Sequence, residues 1–326
     1  MLRIIIIALA TMLLSGVSSH AHAEDRLNFV YISPNAGSSS VLWVAKDAGI
    51  FKKHGLDVNV IYIEGTPKAL MALFAGELQV VTGTGPAVAS AKLRGADATM
   101  IMGLETFLPY YLIATPAVKG VEDLKGKVGA NHSAATSADF AMRLGLRNIG
   151  LDPERDVNLR VVGATNLRML AMQQGQAQFT VITTTEMEEA QKRGFKVLVD
   201  LASKRIPYSH SGVITTQKIL HEKRDSILRF GRATVEAIHF FKTQKAPTIN
   251  VLKKYAKTDL STLDTAYNYL KGALPDLPYP TLEGMKTILA EMGRTRPEVL
   301  KADAASMIDT GIVKTIDDEG FLKRLR

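Results

Sequence analysis

The 326-residue chain contains no cysteine, which excludes disulfide bonds and sites that depend on a thiolate ligand or nucleophile. A lipid anchor is excluded as well, because Val17 stands where a lipoprotein signal would place its cysteine. After export the chain must therefore be stable through burial of its own core. About 300 residues are enough for such a core, and this length predicts two domains.

Motifs for nucleotide binding and hydrolysis are also missing. The glycine-rich stretch VTGTGPAV, residues 81–88, matches neither the Walker motif nor the dinucleotide fingerprint. No Gly-x-Ser-x-Gly elbow surrounds Ser133, and no His, Cys or Asp cluster has the spacing of a metal site. The net charge of +8 is spread without a basic run, which argues against nucleic acid. We therefore expect no cofactor.

The first 23 residues have the three parts of a secretory signal peptide. Arg3 supplies the positive charge, residues 4–14 the apolar core, and Ala21-His22-Ala23 a cleavage site. The apolar run is shorter than a membrane span requires, and nothing later in the sequence is apolar enough to cross a bilayer. We expect cleavage after Ala23 and a protein that is free in the periplasm and is not a lipoprotein.

Two segments of the chain share one pattern at a distance of 99 positions. AGELQVVTGTGPAVASAKLRG and QGQAQFTVITTTEMEEAQKRG align the pairs Gly76 and Gly175, Gln79 and Gln178, Thr84 and Thr183, and Gly95 and Gly194. This spacing is too wide for a solenoid repeat. It predicts two α/β lobes built to one plan, with both threonine turns at a single cleft.

Strand and helix patterns alternate through most of the chain, and the region after residue 220 is mainly helical. The alternation predicts, in each lobe, an open and mostly parallel sheet that helices cover on both faces. No linker rich in Gly, Ser or Pro separates the lobes, so we expect a hinge of crossing strands near Ala114 and Gly212. The predicted domains are the signal peptide (1–23), lobe 1 (24–113), lobe 2 (114–211) and the second part of lobe 1 (212–326).

The segment WVAKDAGIFKKHGLDVNVIYIEG, residues 43–65, resembles the Ala-x-x-x-Gly-x-Phe-x-x-x-Gly-Leu-x-Val signature of periplasmic substrate-binding proteins. These serve ABC importers of nitrate, sulfonates and taurine. ALMALFAGELQVVTGTGPAV, VEDLKGKVGA and the tail MIDTGIVKTIDDEGFLKRL are similar to the same group. One departure is Gln79, where the family often has Asp; we expect this to alter a structural hydrogen bond and to leave the fold intact.

The resemblance implies the type II periplasmic binding fold. In this fold each lobe has a central β-sheet flanked by helices, and two crossover strands form the hinge. It further implies a monomer that holds a small-molecule ligand in the cleft and delivers it to a membrane permease and its ATPase subunit.

The fold places ligand contacts on the loops that follow the strands. The predicted ligand-binding residues are Asn35, Ser38, Thr66, Thr84, Gly85, His132, Ser133, Thr136, Asn166, Thr183 and Glu186. These loops carry hydroxyls and helix starts but almost no Lys or Arg. Each helix N-terminus favours an anion by about 0.3 to 1 kcal/mol. We therefore predict an organic sulfonate or carboxylate rather than a small inorganic ion such as nitrate.

Several of these residues also have a structural interpretation. Ser, Thr and Asn are also the usual caps of helix N-termini, so capping is an alternative role for Ser38, Thr66, Ser133 and Asn166. Glu186 could bind an amine or neutralise the start of its own helix. Lone histidines such as His132 and His210 are more often structural than metal-ligating. Trp43 is predicted to lie in the core, and Tyr110 could line the cleft or pack in the hinge.

Two other functions remain open from the sequence. An enzyme related to pyrimidine-precursor synthases would use the same fold, but those proteins carry a cysteine-rich segment that this chain lacks. A ligand-sensing partner of a membrane receptor would use the same fold and the same cleft. The identity of neighbouring genes would separate the importer component from the sensor.

Overall fold

The computed structural model describes residues 25–256 and 259–325, so the predicted signal peptide and its cleavage site lie outside the described residues. Within them, two five-stranded sheets form the centre of the protein. The strands are β1 (Asp25–Tyr31), β2 (Leu56–Tyr62), β3 (Val80–Gly83), β4 (Thr99–Phe107), β5 (Tyr110–Ala114), β6 (Val128–Asn131), β7 (Asn158–Val161), β8 (Phe179–Thr183), β9 (Lys196–Asp200) and β10 (Pro207–Thr215).

Helices flank both sheets, which confirms the predicted α/β architecture. They are α1 (Val41–Asp47), α2 (Ile50–Lys53), α3 (Thr66–Phe74), α4 (Gly85–Lys92), α5 (Ser137–Asn148), α6 (Thr165–Gln173), α7 (Met187–Lys192), α8 (Gln217–Glu222), α9 (Arg224–Thr243), α10 (Lys245–Tyr255), α11 (Leu260–Ala273), α12 (Leu282–Met292), α13 (Gly311–Asp318) and α14 (Phe321–Leu325). Short 3-10 turns lie at Ser38–Ser40, Glu122–Leu124, Thr184–Glu186, Pro297–Lys301 and Ala304–Met307. No helix within residues 25–256 and 259–325 combines the length and the apolar composition needed to cross a membrane.

The two sheets share one strand order. The first runs β2-β1-β3-β10-β4 and the second runs β7-β6-β8-β5-β9. In each sheet the first three strands pair in parallel, and the last two pairings are antiparallel. The prediction of mostly parallel sheets is therefore confirmed only in part, because two of the four pairings in each sheet are parallel. Each sheet is mixed because its fourth strand, β10 or β5, belongs to the segment that crosses between the sheets and runs against its neighbours.

The chain changes sheets twice, once between β4 and β5 and again between β9 and β10. The two crossing segments are bonded to each other, because the backbone N–H of Leu108 donates to the carbonyl of Ile206 at 3.0 Å. The domain boundaries predicted at 113/114 and 211/212 fall inside β5 and β10, after the points where the sheets exchange strands. Hydrophobic alternation indicated these strands correctly, but it carries no information about which sheet a strand joins.

Glycines that follow the helices explain half of the 99-residue repeat. Gly76, Gly95, Gly175 and Gly194 all adopt positive φ, between 73° and 81°, just after α3, α4, α6 and α7. A residue with a Cβ reaches this conformation only with strain, whereas glycine adopts it freely and ends the helix. The repeat therefore marks four equivalent helix ends.

The paired glutamines explain one further pair of the four that align. Gln79 Oε1 accepts a hydrogen bond from the backbone N–H of Asn28 at 2.9 Å, just before β3. Gln178 Oε1 accepts in the same way from Val128 at 3.1 Å, just before β8. Each glutamine thus ties the third strand of its sheet to the strand beside it. Gln79 thus takes part in a structural hydrogen bond, and the predicted difference from the family's Asp stays a prediction.

Two large apolar clusters stabilise the described part of the chain. Trp43 is fully buried in the first, where its ring stacks on Tyr255 with centroids 5.1 Å apart, so its predicted core position is confirmed. The second cluster contains residues of both sheets. It includes Phe140 of α5 and Tyr208 of β10, whose ring centroids are 4.6 Å apart. Packing therefore continues across the region where the chain changes sheets.

We predict that Gln178→Leu lowers the free energy of unfolding by about 0.5 to 1.5 kcal/mol, because it removes the acceptor for Val128 N–H. The variant also removes the bond from Gln178 Nε2 to the Gly175 carbonyl, at 3.2 Å. Urea unfolding monitored by circular dichroism measures the change. Gln176→Leu, at an exposed position two residues away, is the matched control. Equal stability of the two variants would contradict the structural role of Gln178.

Candidate functional site

A cavity of about 150 Å³ lies between the two sheets. Its wall is formed by the segments that follow the carboxyl ends of β1, β2, β3, β6, β7 and β8, together with part of β10. Open α/β sheets bind ligands at this edge, because the strand ends and the helix starts meet there. The cavity is therefore the candidate ligand site.

Eight of the eleven predicted residues line this cavity: Asn35, Ser38, Thr66, Thr84, His132, Thr136, Thr183 and Glu186. The other three lie elsewhere. Gly85 packs against β10 and α12, where an ideal Cβ on it would lie 2.7 Å from Ser209 Cβ. Ser133 follows His132 without being part of the wall, and Asn166 lines a neighbouring groove with Glu189. The sequence identified these loops but not the direction of each side chain.

Thr84 is the N-terminal flanking residue of α4, as its place in the repeat predicts. Its backbone N–H donates to Thr66 Oγ1 at 3.2 Å, so Thr66 has a structural role beside the cavity. The Thr84 hydroxyl is buried and has no hydrogen-bond partner among the described residues. A buried hydroxyl without a partner is unfavourable in the empty protein, so a hydrogen bond from a ligand would stabilise it.

Thr183, the counterpart of Thr84, makes different contacts. Its hydroxyl and its backbone N–H both donate to Glu186 Oε2, at 2.9 and 2.8 Å. The only hydroxyl hydrogen is thereby used, so the predicted role of Thr183 as a donor to the ligand does not fit this geometry. Asn35 Nδ2 donates to the other oxygen, Glu186 Oε1, at 2.6 Å from the opposite side of the cavity. Glu186 thus joins the two halves of the site.

The loop between β6 and α5 corrects the predicted start of a helix. Thr136, not Ser133, caps α5, because its Oγ1 accepts from Asp139 N–H at 3.2 Å and donates to the Ser133 carbonyl at 2.8 Å. His132 Nδ1 accepts from the backbone N–H of Ser133 at 2.7 Å. Burial and the nearby charge of Arg168 lower the pKa of His132. The imidazole is therefore neutral at pH 7.

Arg168 of α6 is the main residue of the wall that the sequence analysis missed. It is 2% exposed, and its guanidinium donates to the carbonyls of Gly163 and Val181 and to the hydroxyls of Thr165 and Thr180. Among the described residues no carboxylate lies within 4.0 Å of it. Burial lowers the pKa of this group, and the more distant charge of Glu186 opposes the shift. The cavity wall therefore contains a buried cation without an ion-pair partner.

The repeat itself carried a signal for Arg168. It stands 99 positions after Ala69, a fully buried residue of α3. Met169 and Met172 occupy the positions that match Leu70 and Leu73, so both helices bury the same face. An arginine on a face that is otherwise apolar indicates a special environment.

β4 and β10 place a buried acid and a histidine beside the cavity. Glu105 Oε2 lies 3.7 Å from His210 Nε2, and Tyr269 donates to Glu105 Oε1 at 2.5 Å. Burial raises the pKa of Glu105 to about 7 and lowers the pKa of His210 to about 3. The ring of Tyr110 lies edge-on to the imidazole at 5.3 Å, and both rings line the cavity. Tyr110 is thus both a wall residue and part of the hinge packing.

Within residues 25–256 and 259–325 no group of three or more His, Cys, Asp or Glu side chains could hold a metal ion. His132 and Ser133 resemble a base and a nucleophile in their arrangement, because 3.0 Å separates His132 Nδ1 from Ser133 Oγ. However, Ser133 N–H occupies the same ring nitrogen, and Ser133 does not line the cavity. The geometry favours noncovalent binding in the cavity.

Comparison with known proteins places these features in a family. The family model described as NMT1/THI5 like matches residues 37–246. A protein of Brucella abortus (strain 2308), provisionally named as a binding protein, is 26% identical over 251 residues, which cover 72% of this chain and 73% of the relative.

Two solved structures share the fold. The alkanesulfonate-binding protein SsuA of Xanthomonas axonopodis pv. citri, solved with bound MOPS, is 15% identical with a TM-score of 0.72 over 87% of this chain and 98% of the other. The periplasmic aliphatic sulphonate-binding protein SsuA of Escherichia coli is 20% identical with a TM-score of 0.70, over 88% and 92%. At these identities the similarity shows the two-lobed periplasmic binding fold. Because the family match covers more than half of the sequence, the chain belongs to the NMT1/THI5-like family.

Proposed function

We propose that the protein is the solute-binding component of an ABC import system and that it captures a small organic anion in the cavity between its two sheets. One observation carries the proposal: the Arg168 guanidinium lines the cavity, is almost fully buried, and has no carboxylate within ion-pair distance among the described residues. A buried charge without a partner is costly. A bound carboxylate or sulfonate would supply the missing counter-charge.

The size and polarity of the cavity support an organic anion with a small body. Its volume of about 150 Å³ exceeds the ~30 Å³ of one water molecule in the liquid, and Ile32, Pro34 and Ala138 give part of the wall an apolar surface. The unpartnered Thr84 hydroxyl offers a hydrogen bond to the same ligand. The bound MOPS in the Xanthomonas structure, a molecule with a sulfonate group, supports this ligand class.

Glu64 adds a second polar feature to the wall. Its carboxylate is half-buried, lines the cavity, and has no hydrogen bond or ion pair among the described residues. An anion that also carries an amino or hydroxyl group could therefore donate to Glu64 while its acidic group meets Arg168. This arrangement favours substituted sulfonates and carboxylates over plain inorganic ions.

Import requires that the bound form differ from the empty form. A ligand that contacts both halves of the site binds the closed arrangement more tightly, and only this difference drives closure. The Asn35–Glu186 hydrogen bond joins the same two halves and would form in the same step. We further propose that the mature protein begins at Glu24, acts as a periplasmic monomer, and presents its closed form to a permease and its ATPase subunit.

The two alternatives from the sequence receive less support. An enzyme would need a reactive group in the cavity, and the contact of Ser133 with His132 lies at its edge and is engaged by the backbone. A sensor would bind its ligand in the same manner as an importer component. Deletion of a neighbouring permease gene would distinguish them, since only an importer component loses ligand uptake with it.

A thermal-shift screen of the purified mature protein tests the ligand class. A compound that binds only the folded state at 100 times its dissociation constant stabilises it by about 2.7 kcal/mol. We expect sulfonates and carboxylates of two to six carbons to raise the melting temperature, with amino-substituted members included because of Glu64. The corresponding neutral alcohols and amides should have no effect. A response to neutral compounds alone would contradict the proposal.

We predict that Arg168→Gln weakens binding of the strongest anion from this screen by about 10- to 150-fold, because hydrogen bonds to charged groups contribute about 1.5 to 3 kcal/mol. Calorimetric titration measures the affinity, and circular dichroism checks that the fold is retained. Lys68→Gln removes the same formal charge from an exposed side chain on α3 and is the matched control. Similar affinities in the two variants would show that Arg168 does not hold the anion.

We predict that Thr84→Val weakens binding of the same anion about two- to twelvefold, since one neutral hydrogen bond contributes about 0.5 to 1.5 kcal/mol. The unfolding temperature of the empty protein should not fall, because the hydroxyl has no partner to lose. Thr84→Ser retains the hydroxyl and should bind as the wild type does. Unchanged affinity in Thr84→Val would show that the turn at Thr84 has only a structural role.

A further inference from the structure

His210 is the second cavity residue with an unsatisfied polar atom. Its Nδ1 is buried and has no hydrogen-bond partner among the described residues, while Nε2 faces the carboxylate of Glu105 at 3.7 Å. Glu105 is 3% exposed and is held on its other side by Tyr269 and by a hydrogen bond with Ser38. One ring nitrogen thus meets the acid, and the other is unpaired in a ring that lines the cavity.

The proton positions follow from burial. Because water does not solvate either charge, the pKa of Glu105 is raised to about 7 and the pKa of His210 is lowered to about 3. Below pH 7 both side chains are therefore uncharged. Oε2 lies 3.7 Å from Nε2, just beyond hydrogen-bond distance, so a protonated Glu105 needs to approach the ring by a few tenths of an ångström to donate to it. A neutral imidazole that accepts there carries its hydrogen on Nδ1. The unpaired nitrogen is then a donor.

We propose that His210 contacts the ligand by donating from Nδ1 to its anionic group, and that Glu105 is a positioning residue that, in its protonated form, holds this tautomer. The inference rests on the proposed function, because it requires an anion in the cavity. When Glu105 loses its proton, it attracts the imidazole hydrogen to Nε2, and Nδ1 then offers the anion a lone pair. Above neutral pH, binding of the anion therefore takes up one proton from solution.

Several other titratable or charged groups surround the pair. They are Tyr269 on α11, Tyr110 and Tyr111 on β5, Tyr208 on β10 and, across the cavity, Glu64, His132, Arg168 and Glu186. Burial raises the pKa of Tyr110, Tyr208 and Tyr269 far above the usual value, so these phenols stay neutral. Arg168 keeps its charge at these pH values, and the lowered pKa of His132 leaves that ring uncharged. Among the described groups around the cavity whose pKa is shifted, Glu105 is the one raised into the neutral range.

Calorimetric titration with 1-butanesulfonate between pH 6 and 8.5 tests the inference, because this probe keeps its charge over the whole range. We expect a constant affinity below about pH 7. The affinity should then fall, by up to ~30-fold at pH 8.5, since deprotonated Glu105 must be protonated again for binding. Titrations in two buffers with different ionisation enthalpies measure how many protons are taken up on binding. This number should approach one proton per bound anion at pH 8.5.

Two variants test whether Glu105 and His210 cause the pH dependence of the affinity. Glu105→Gln keeps the shape and the acceptor for Tyr269 and presents an amide donor to Nε2, so its affinity should match the wild type at pH 6 and stay flat to pH 8.5. His210→Phe should weaken binding about tenfold or more at pH 6 and remove the pH dependence. His221→Phe, at an exposed position on α8, is the control and should retain both the affinity and its pH profile.

The tautomer can also be read directly in the wild type by ¹⁵N NMR of the histidine rings, with the His210 signals assigned from His210→Phe. We expect a neutral ring with hydrogen on Nδ1 at pH 6. A hydrogen on Nε2 at pH 6, a flat affinity of the wild type, or an unchanged pH profile in Glu105→Gln would each overturn the inference while leaving the proposed function in place. Absence of butanesulfonate binding at every pH would instead contradict the proposed function, and the inference with it.

Discussion

The exchange of strands between the two sheets is the constraint on which the rest of the molecule depends. Because β10 enters the first sheet and β5 enters the second, the chain must cross twice, and the two crossings are bonded through Leu108 and Ile206. These strands lie in the middle of their sheets and not at the edges. Short segments connect β4 to β5 and β9 to β10, so the lobes can move relative to each other only by bending these crossing segments.

This arrangement also determines what surrounds the ligand site. Tyr110 and His210 lie on the crossing strands and line the cavity, and Glu105 lies beside them on β4. Arg168 and the Thr84 hydroxyl reach the same space from helix starts on opposite sides. The cavity thus combines a fixed cation with polar groups that have no hydrogen-bond partner in the described part of the chain. Such groups lower the stability of the empty form and are retained where they contribute to binding.

The two glutamines and the two threonines show what an internal repeat can predict. Gln79 and Gln178 make the same bond at equivalent positions, because each one accepts from a backbone N–H of a neighbouring strand. Thr84 and Thr183 occupy equivalent strand ends, yet only Thr84 keeps a free hydroxyl, since Glu186 follows Thr183 three residues later. Equivalent backbone positions therefore do not ensure equivalent side-chain contacts.

The sequence alone determined the α/β class, the two-lobe plan, most of the helices and strands, and eight of the residues around the cavity, because hydrophobic period and helix-start residues are local signals. It did not determine the sheet to which β5 and β10 belong or the role of Arg168. It also gave no sign that Glu105 and His210 form a pair. Those features arise between residues far apart in the chain, and burial changes the energy of a charge only after the tertiary structure has removed the water around it.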